Sequence, residues 1–113
     1  MASKFEDLVA YRLAADLADA LWPVVLEWPS FARWSLGKQL IRSADSVGAN
    51  IAEATGRRTS ADRRYFFAVA RGSALETKHW LMRARARGLE VPDLEADRLA
   101  RLLAGLINAE TPT

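Results

Sequence analysis

At 113 residues and 12.5 kDa, the chain has the size of one domain over residues 1–113, with no room for a second independent core. Half of its residues are hydrophobic and 27% are charged, the balance of a folded globular chain. The absence of cysteine excludes disulfides, thiolate metal centres, iron–sulfur clusters and cysteine nucleophiles together. The formal net charge of +2 conceals a partition: residues 33–87 hold twelve of the sixteen basic residues against four of the fourteen acidic ones, a local excess of +8 flanked on either side by −3. Near the start, Glu6 and Asp7 stand where a leader would carry an apolar stretch, and the longest apolar run, Leu21 to Leu26, is far short of a membrane span. A cytoplasmic protein with no membrane partner is expected.

Alanine fills 21 positions and the period-two alternation of strands is missing, so helices are expected throughout. The first, about residues 6–27, carries Leu8, Tyr11, Ala15, Ala18, Trp22 and Val25 at steps of 3, 4, 3, 4 and 3, a heptad-like seam widened by Leu13, Leu17 and Val24. Pro23 cannot donate to the Asp19 carbonyl, which predicts a kink or an end near Trp22. Trp28-Pro29-Ser30 reads as a break with Ser30 as a cap. A second helix, about 31–55, follows with the seam Leu36, Leu40, Ala44, Val47, Ile51 and Ala54, closed by Gly56. Thr59 or Ser60 caps a third helix, about 60–87, which carries Tyr65, Phe66, Val69, Ala70, Ser73, Trp80 and Leu81 toward a core and stops at Gly88. Pro92-Asp93 opens the last helix, about 93–109, with Leu99, Leu102, Leu103, Leu106 and Ile107 as its buried stripe before a polar tail. Four amphipathic helices on short turns define an all-α, up-down antiparallel four-helix bundle.

Three features could carry function. Gln39, Arg42, Ser46, Asn50, Glu53 and Arg57 form a polar stripe along the second helix. Small neighbours let another helix approach, so the stripe is either a structural network within or between subunits or a ligand site. Gly72, before Ser73, sits mid-helix at a cost of roughly 1 kcal/mol, which close helix packing against the second helix would offset; an anion held by backbone amides is the sharper alternative. Arg57, Arg58, Arg63 and Arg64 bracket the turn between helices two and three. They suit phosphate contact, although a basic block spread over residues 33–87 can equally lace helices together by ion pairs. Catalysis has little to stand on. His79 is the only histidine, Ser46 and Ser73 lack an evident base, and no glycine-rich phosphate loop occurs, so no catalytic residue, metal or cofactor is expected.

Phe5-Glu6-Asp7-Leu8, Pro29 to Leu36, the string QLIRSADSVGANIAEATGR from Gln39 to Arg57, and FAVARGSALE from Phe67 to Glu76 together resemble the small bacterial proteins encoded in 23S rRNA intervening sequences, relatives of the accessory protein of diversity-generating retroelements. The resemblance implies a four-helix bundle assembled as a homopentamer, binding to RNA or DNA, and a reverse transcriptase as a partner by analogy. Carried over by position, it marks Gln39, Arg42, Ser46, Asn50, Glu53, Gly56, Arg57, Gly72, Ser73 and Glu76. The sequence departs from the family pattern at Pro23, Ala32, Ile41 and Ala54.

Overall fold

The computed structural model describes residues 4–110; the outermost three residues at each end, including most of the expected polar tail, lie outside the described residues. A short 3₁₀ turn, Phe5–Asp7, leads into α1, Val9–Leu26. An α turn at Ser30–Ala32 and a π turn at Arg33–Gly37 run without leaving helical backbone angles into α2, Lys38–Thr55. Then come α3, Ser60–Ala86, and α4, Ala96–Ala109. Each helix packs on two neighbours: α2 on α1 and α3, and α4 on α3 and α1. This is a four-helix bundle, elongated at 49 × 20 × 20 Å.

Helix α1 continues through Pro23 to Leu26, where Glu27 and Trp28 donate to the carbonyls of Val24 and Val25. Its buried residues are Ala10, Ala14, Leu17, Ala18, Leu21 and Val25, so the expected stripe is buried at Leu17, Ala18 and Val25 while the buried face is rotated toward Ala10, Ala14 and Leu21. Trp22 is 56% exposed, and Tyr11 and Ala15 are only half-buried. The helix sits in the corner between α2 and α4, so the line bisecting that corner is buried, and the rest of the heptad-like seam falls on the flank. Pro29 adopts extended angles and occupies the capping position, so Ser30 begins the next helical turn and caps nothing.

All six seam residues expected of the second helix are buried, Leu36 on the π turn and five on α2, of which Leu40, Val47, Ile51 and Ala54 are completely so. Each buried leucine or isoleucine contributes about 1.5–3 kcal/mol of transfer free energy. Thr59 caps α3 by accepting from the Asp62 amide at 3.1 Å. The α3 line is Phe67, Ala70, Ala74, Thr77, Leu81 and Ala84. Of the residues expected there only Ala70 and Leu81 are buried; Tyr65 is exposed, and Phe66, Val69, Ser73 and Trp80 are half-buried. Three aromatics in a row cannot share a face at 3.6 residues per turn, and Phe67 is the one in line with the alanines.

At the end of α3, Gly88 takes φ +76°, and the amides of Gly88 and Leu89 donate to the carbonyls of Arg85 and Ala84, a Schellman closure. The last helix starts at Ala96 rather than at Pro92-Asp93. The stretch between crosses the end of the bundle, with Leu89, Val91 and Leu94 packed on the core and Arg85 donating to the Pro92 carbonyl at 3.1 Å. Trp28, buried, donates its indole N–H to the Glu90 carbonyl at 2.9 Å and so ties the α1–α2 turn to this crossing.

Candidate functional site

The arginines of the α2–α3 turn are largely committed within the chain. Arg63 donates through Nε to Glu110 Oε1 at 2.8 Å and through Nη1 to the carbonyls of Arg57 and Arg58 at 3.2 and 3.0 Å. Arg64 donates to the carbonyls of Ile107 and Glu110, placing a cation at the C-terminus of α4, where the helix dipole favours it. Arg57 pairs with Glu53, and its guanidinium lies 4.5 Å from the centroid of the Phe66 ring. Arg58 is exposed, and its side chain has no hydrogen bond or ion pair among the described residues. The hydrogen bond from Arg63 holds the Glu110 carboxyl below its ordinary range against the opposing effect of desolvation, with help from Ser60. The same bond raises the Arg63 pKa. Three of the four side chains, Arg57, Arg63 and Arg64, are thus engaged by groups of the chain itself.

The polar stripe divides in two. Ser46 Oγ lies 2.9 Å from Ser73 Oγ, and Asn50 Nδ2 donates to the Ser46 carbonyl at 2.8 Å and to its hydroxyl at 3.0 Å. Deeper in the same seam, Thr77 Oγ1 lies 3.0 Å from Ser43 Oγ and 2.8 Å from the Ser73 carbonyl. No buried side-chain nitrogen or oxygen among the described residues lacks a partner, so this half of the stripe is an internal network between α2 and α3. Gln39 and Arg42 stay exposed.

Ser73 takes part in the packing expected of it, but Gly72 does not. Gly72 is exposed, and a Cβ built on it would meet nothing within 4 Å. One residue along a helix is a rotation of about 100°, so a glycine beside the seam residue Ser73 is turned away from α2. The close approach occurs instead at Gly37, where a Cβ would lie 2.7 Å from Val25 Cγ1. His79 is exposed and meets the Trp80 ring edge-on, and Trp80 donates to Glu76.

A second surface went unread in the sequence. The outer groove between α1 and α2 has, at one end, a hollow of about 330 Å³ walled by Trp22, Val25, Leu26, Trp34 and Ile41, with Arg33, Lys38 and Arg42 along its rim. Trp34 is 71% exposed and Phe31, one turn earlier, 82%. The other end, about 280 Å³, is lined mainly by small residues, among them Ala15, Ala18, Gly48 and Ala52, with the carboxylates of Asp19 and Asp45. Burial, and then the charge of Asp19, raise the Asp45 pKa. Trp22, Trp28, Phe31 and Trp34 around one proline break were the available signal. Expecting helix one's seam to be core concealed it.

Fold and surface define an all-α bundle with one flank sealed and one open. Residues 6–105 match the model of the 23S rRNA-intervening sequence protein family, and the chain belongs to that family. No curated protein matches it. No helix among the described residues is long and apolar enough to cross a membrane.

Proposed function

We propose that the chain is a non-enzymatic, homo-oligomeric scaffold of the cytoplasm, with five subunits by its family resemblance. The observation that carries this reading is the cluster of large apolar side chains on one flank, Trp22, Leu26, Phe31 and Trp34, each about half exposed or more. Contiguous exposed apolar surface rimmed by polar groups marks a protein-interaction site. Light scattering coupled to gel filtration at micromolar concentration tests it. The expected mass is a multiple of 12.5 kDa, and a stable monomer overturns the reading.

A second reading, binding of RNA or DNA at Arg57, Arg58, Arg63 and Arg64, is supported by Arg58 and by Arg71, both exposed and without carboxylate partners among the described residues. Repetition around an oligomer multiplies such sites. Phosphate contacts make affinity fall steeply as salt rises. Arg58→Ala is the informative variant, because Arg63 and Arg64 also hold α4. Loss of low-salt binding in R58A supports this reading, and no binding by the parent chain removes it. The family relation to retroelement accessory proteins makes a reverse transcriptase the protein partner to test first.

A further inference from the structure

The exposed large apolar side chains fall in two places. Val9, Trp22, Leu26, Phe31 and Trp34 belong to α1 and the turns that follow it, whereas Tyr65, Leu75 and Met82 are on α3. These three share one line. Tyr65, Ala68, Gly72, Leu75, His79 and Met82 step by 3, 4, 3, 4 and 3, and every one of them is exposed. Ala61 and Ala86 lie one step beyond its ends, are exposed too, and extend the line to about 38 Å at the helical rise of about 1.5 Å per residue. Nearly four heptads thus keep the a/d spacing by which one helix seats on another. The line runs opposite the buried residues Phe67, Ala70, Ala74, Thr77, Leu81 and Ala84, so α3 is apolar on two sides. The core takes the inner side, where α3 meets α2 and α4.

The outer seam has a charged edge. Arg64, Arg71, Lys78 and Arg85 recur every seven residues, each one position before a seam residue. Arg71 is exposed, and its side chain has no hydrogen bond or ion pair among the described residues. Arg64 reaches the end of α4, and Lys78 and Arg85 pair with Asp97 and Asp93 at 2.8 and 3.3 Å. Exposed pairs of this kind are weak, and each cation has donors left for a second carboxylate. The other edge, Asp62, Val69, Glu76 and Arg83, is mixed in sign. Gly72 belongs to the same picture. It weakens α3, and nothing in the chain lies within 4 Å of a Cβ placed there. With Ala68 one turn earlier it forms a notch that a second backbone can approach closely.

We propose that the outer line of α3 docks an amphipathic helix of a different protein, apolar at heptad spacing and acidic along the edge that meets Arg64, Arg71, Lys78 and Arg85. Charge complementarity selects this occupant. A second copy of the same line does not fit, because two such faces laid antiparallel set one row of cations against the other. The docking is separate from the self-association proposed above, which uses the α1–α2 flank.

The probe is a synthetic helix of about four heptads with leucine and alanine at a and d, glutamate at g and glutamine at e. Its glutamates then meet the cations when the two helices run antiparallel. Labelled and held at trace concentration, it is titrated with the chain and followed by fluorescence anisotropy, beside a control peptide with lysine for glutamate. The acidic peptide is expected to bind at micromolar concentration, and the lysine peptide at least about tenfold more weakly. Leu75→Gln with Met82→Gln, both exposed and harmless to the fold by circular dichroism, should weaken binding roughly 30-fold, and Arg71→Glu about tenfold. Gly72→Gln separates docking from folding, raising the thermal midpoint because glutamine is the better helix former while lowering affinity by filling the notch. Absence of binding at millimolar concentration, or equal binding of both peptides, overturns the proposal. So does loss in Arg71→Glu without loss in the Leu75 and Met82 variant, which is adsorption to charge of the kind a nucleic acid shows. If that double variant lowers the mass of an assembled parent chain, the line is a contact between copies and the proposal is again overturned. A monomeric parent chain that binds the acidic peptide supports the docking while overturning self-association.

Discussion

Helix α2 has two flanks, and they are finished differently. Against α3, Ser43, Ser46 and Asn50 meet Ser73 and Thr77 in a closed set of hydrogen bonds, and the residues beneath are fully buried. Against α1, the same helix contributes Lys38, Ile41, Arg42 and Asp45 to a groove in which Asp19, Asp45, Lys38 and Arg42 form no ion pair among the described residues and tryptophans stand exposed. Buried polar groups left unsatisfied cost on the order of 1–3 kcal/mol each, so the α3 flank had to be completed for the chain to fold. The α1 flank, open to water, carries no such obligation. A single helix thus separates stability from recognition by the side to which each residue points.

Substitutions on the two flanks should therefore divide between folding and association. The largest effect is expected from Leu40→Ala, which empties a fully buried position and should cost about 2–5 kcal/mol in urea unfolding. Trp34→Ala, on the open flank, should change the unfolding free energy of the isolated chain by no more than about 0.5 kcal/mol. Gly37→Ala should cost about 1–3 kcal/mol by forcing a methyl group against Val25, with the same measurement deciding. Gly72→Ala should act in the opposite direction, stabilising by about 0.5–1 kcal/mol, since the helix is relieved of a flexible residue at a site with room for the methyl group.

The smallest effects concern two carboxylates with opposite signs. Glu110 has its pKa lowered below the ordinary 4.5 by Arg63, so its contribution is present above that value and lost as pH falls through the folded-state pKa; Glu110→Gln should flatten this acid-side decline. Asp45 has its pKa raised above the ordinary 3.8 by burial and by Asp19, so its contribution is present below that value and lost as pH rises through the folded-state pKa. Asp45→Asn should thus slightly stabilise the chain at neutral pH. Unfolding midpoints across pH for both variants check the pair.

The α2 seam was fully legible because Leu, Val and Ile recur there among polar residues, and the caps at Thr59 and Gly88 follow from local chemistry that needs no partner. In α1 and α3 alanine flattens the contrast between faces, so periodicity identified the helices without fixing which line faces inward. Tyr65, Phe66 and Phe67 give equal hydrophobic signals, and only the position of α2 selects Phe67. The commitment of Arg63 to Glu110 joins residues 47 apart and cannot be read from the spacing of arginines around a turn. Gly72 misled because the cost of a mid-helix glycine was taken to be offset by close packing, when one step along the helix from Ser73 carries it out of the interface.

The four tryptophans occupy three different surroundings: Trp28 sealed against Glu90, Trp80 half covered, Trp22 and Trp34 open to water. The chain therefore carries its own optical gauge. Unfolding should move the emission of Trp28 toward the red, whereas closing the groove should draw that of Trp22 and Trp34 toward the blue. A fluorescence titration without any attached dye can then tell a loosened interior from a covered flank by the direction of the colour change.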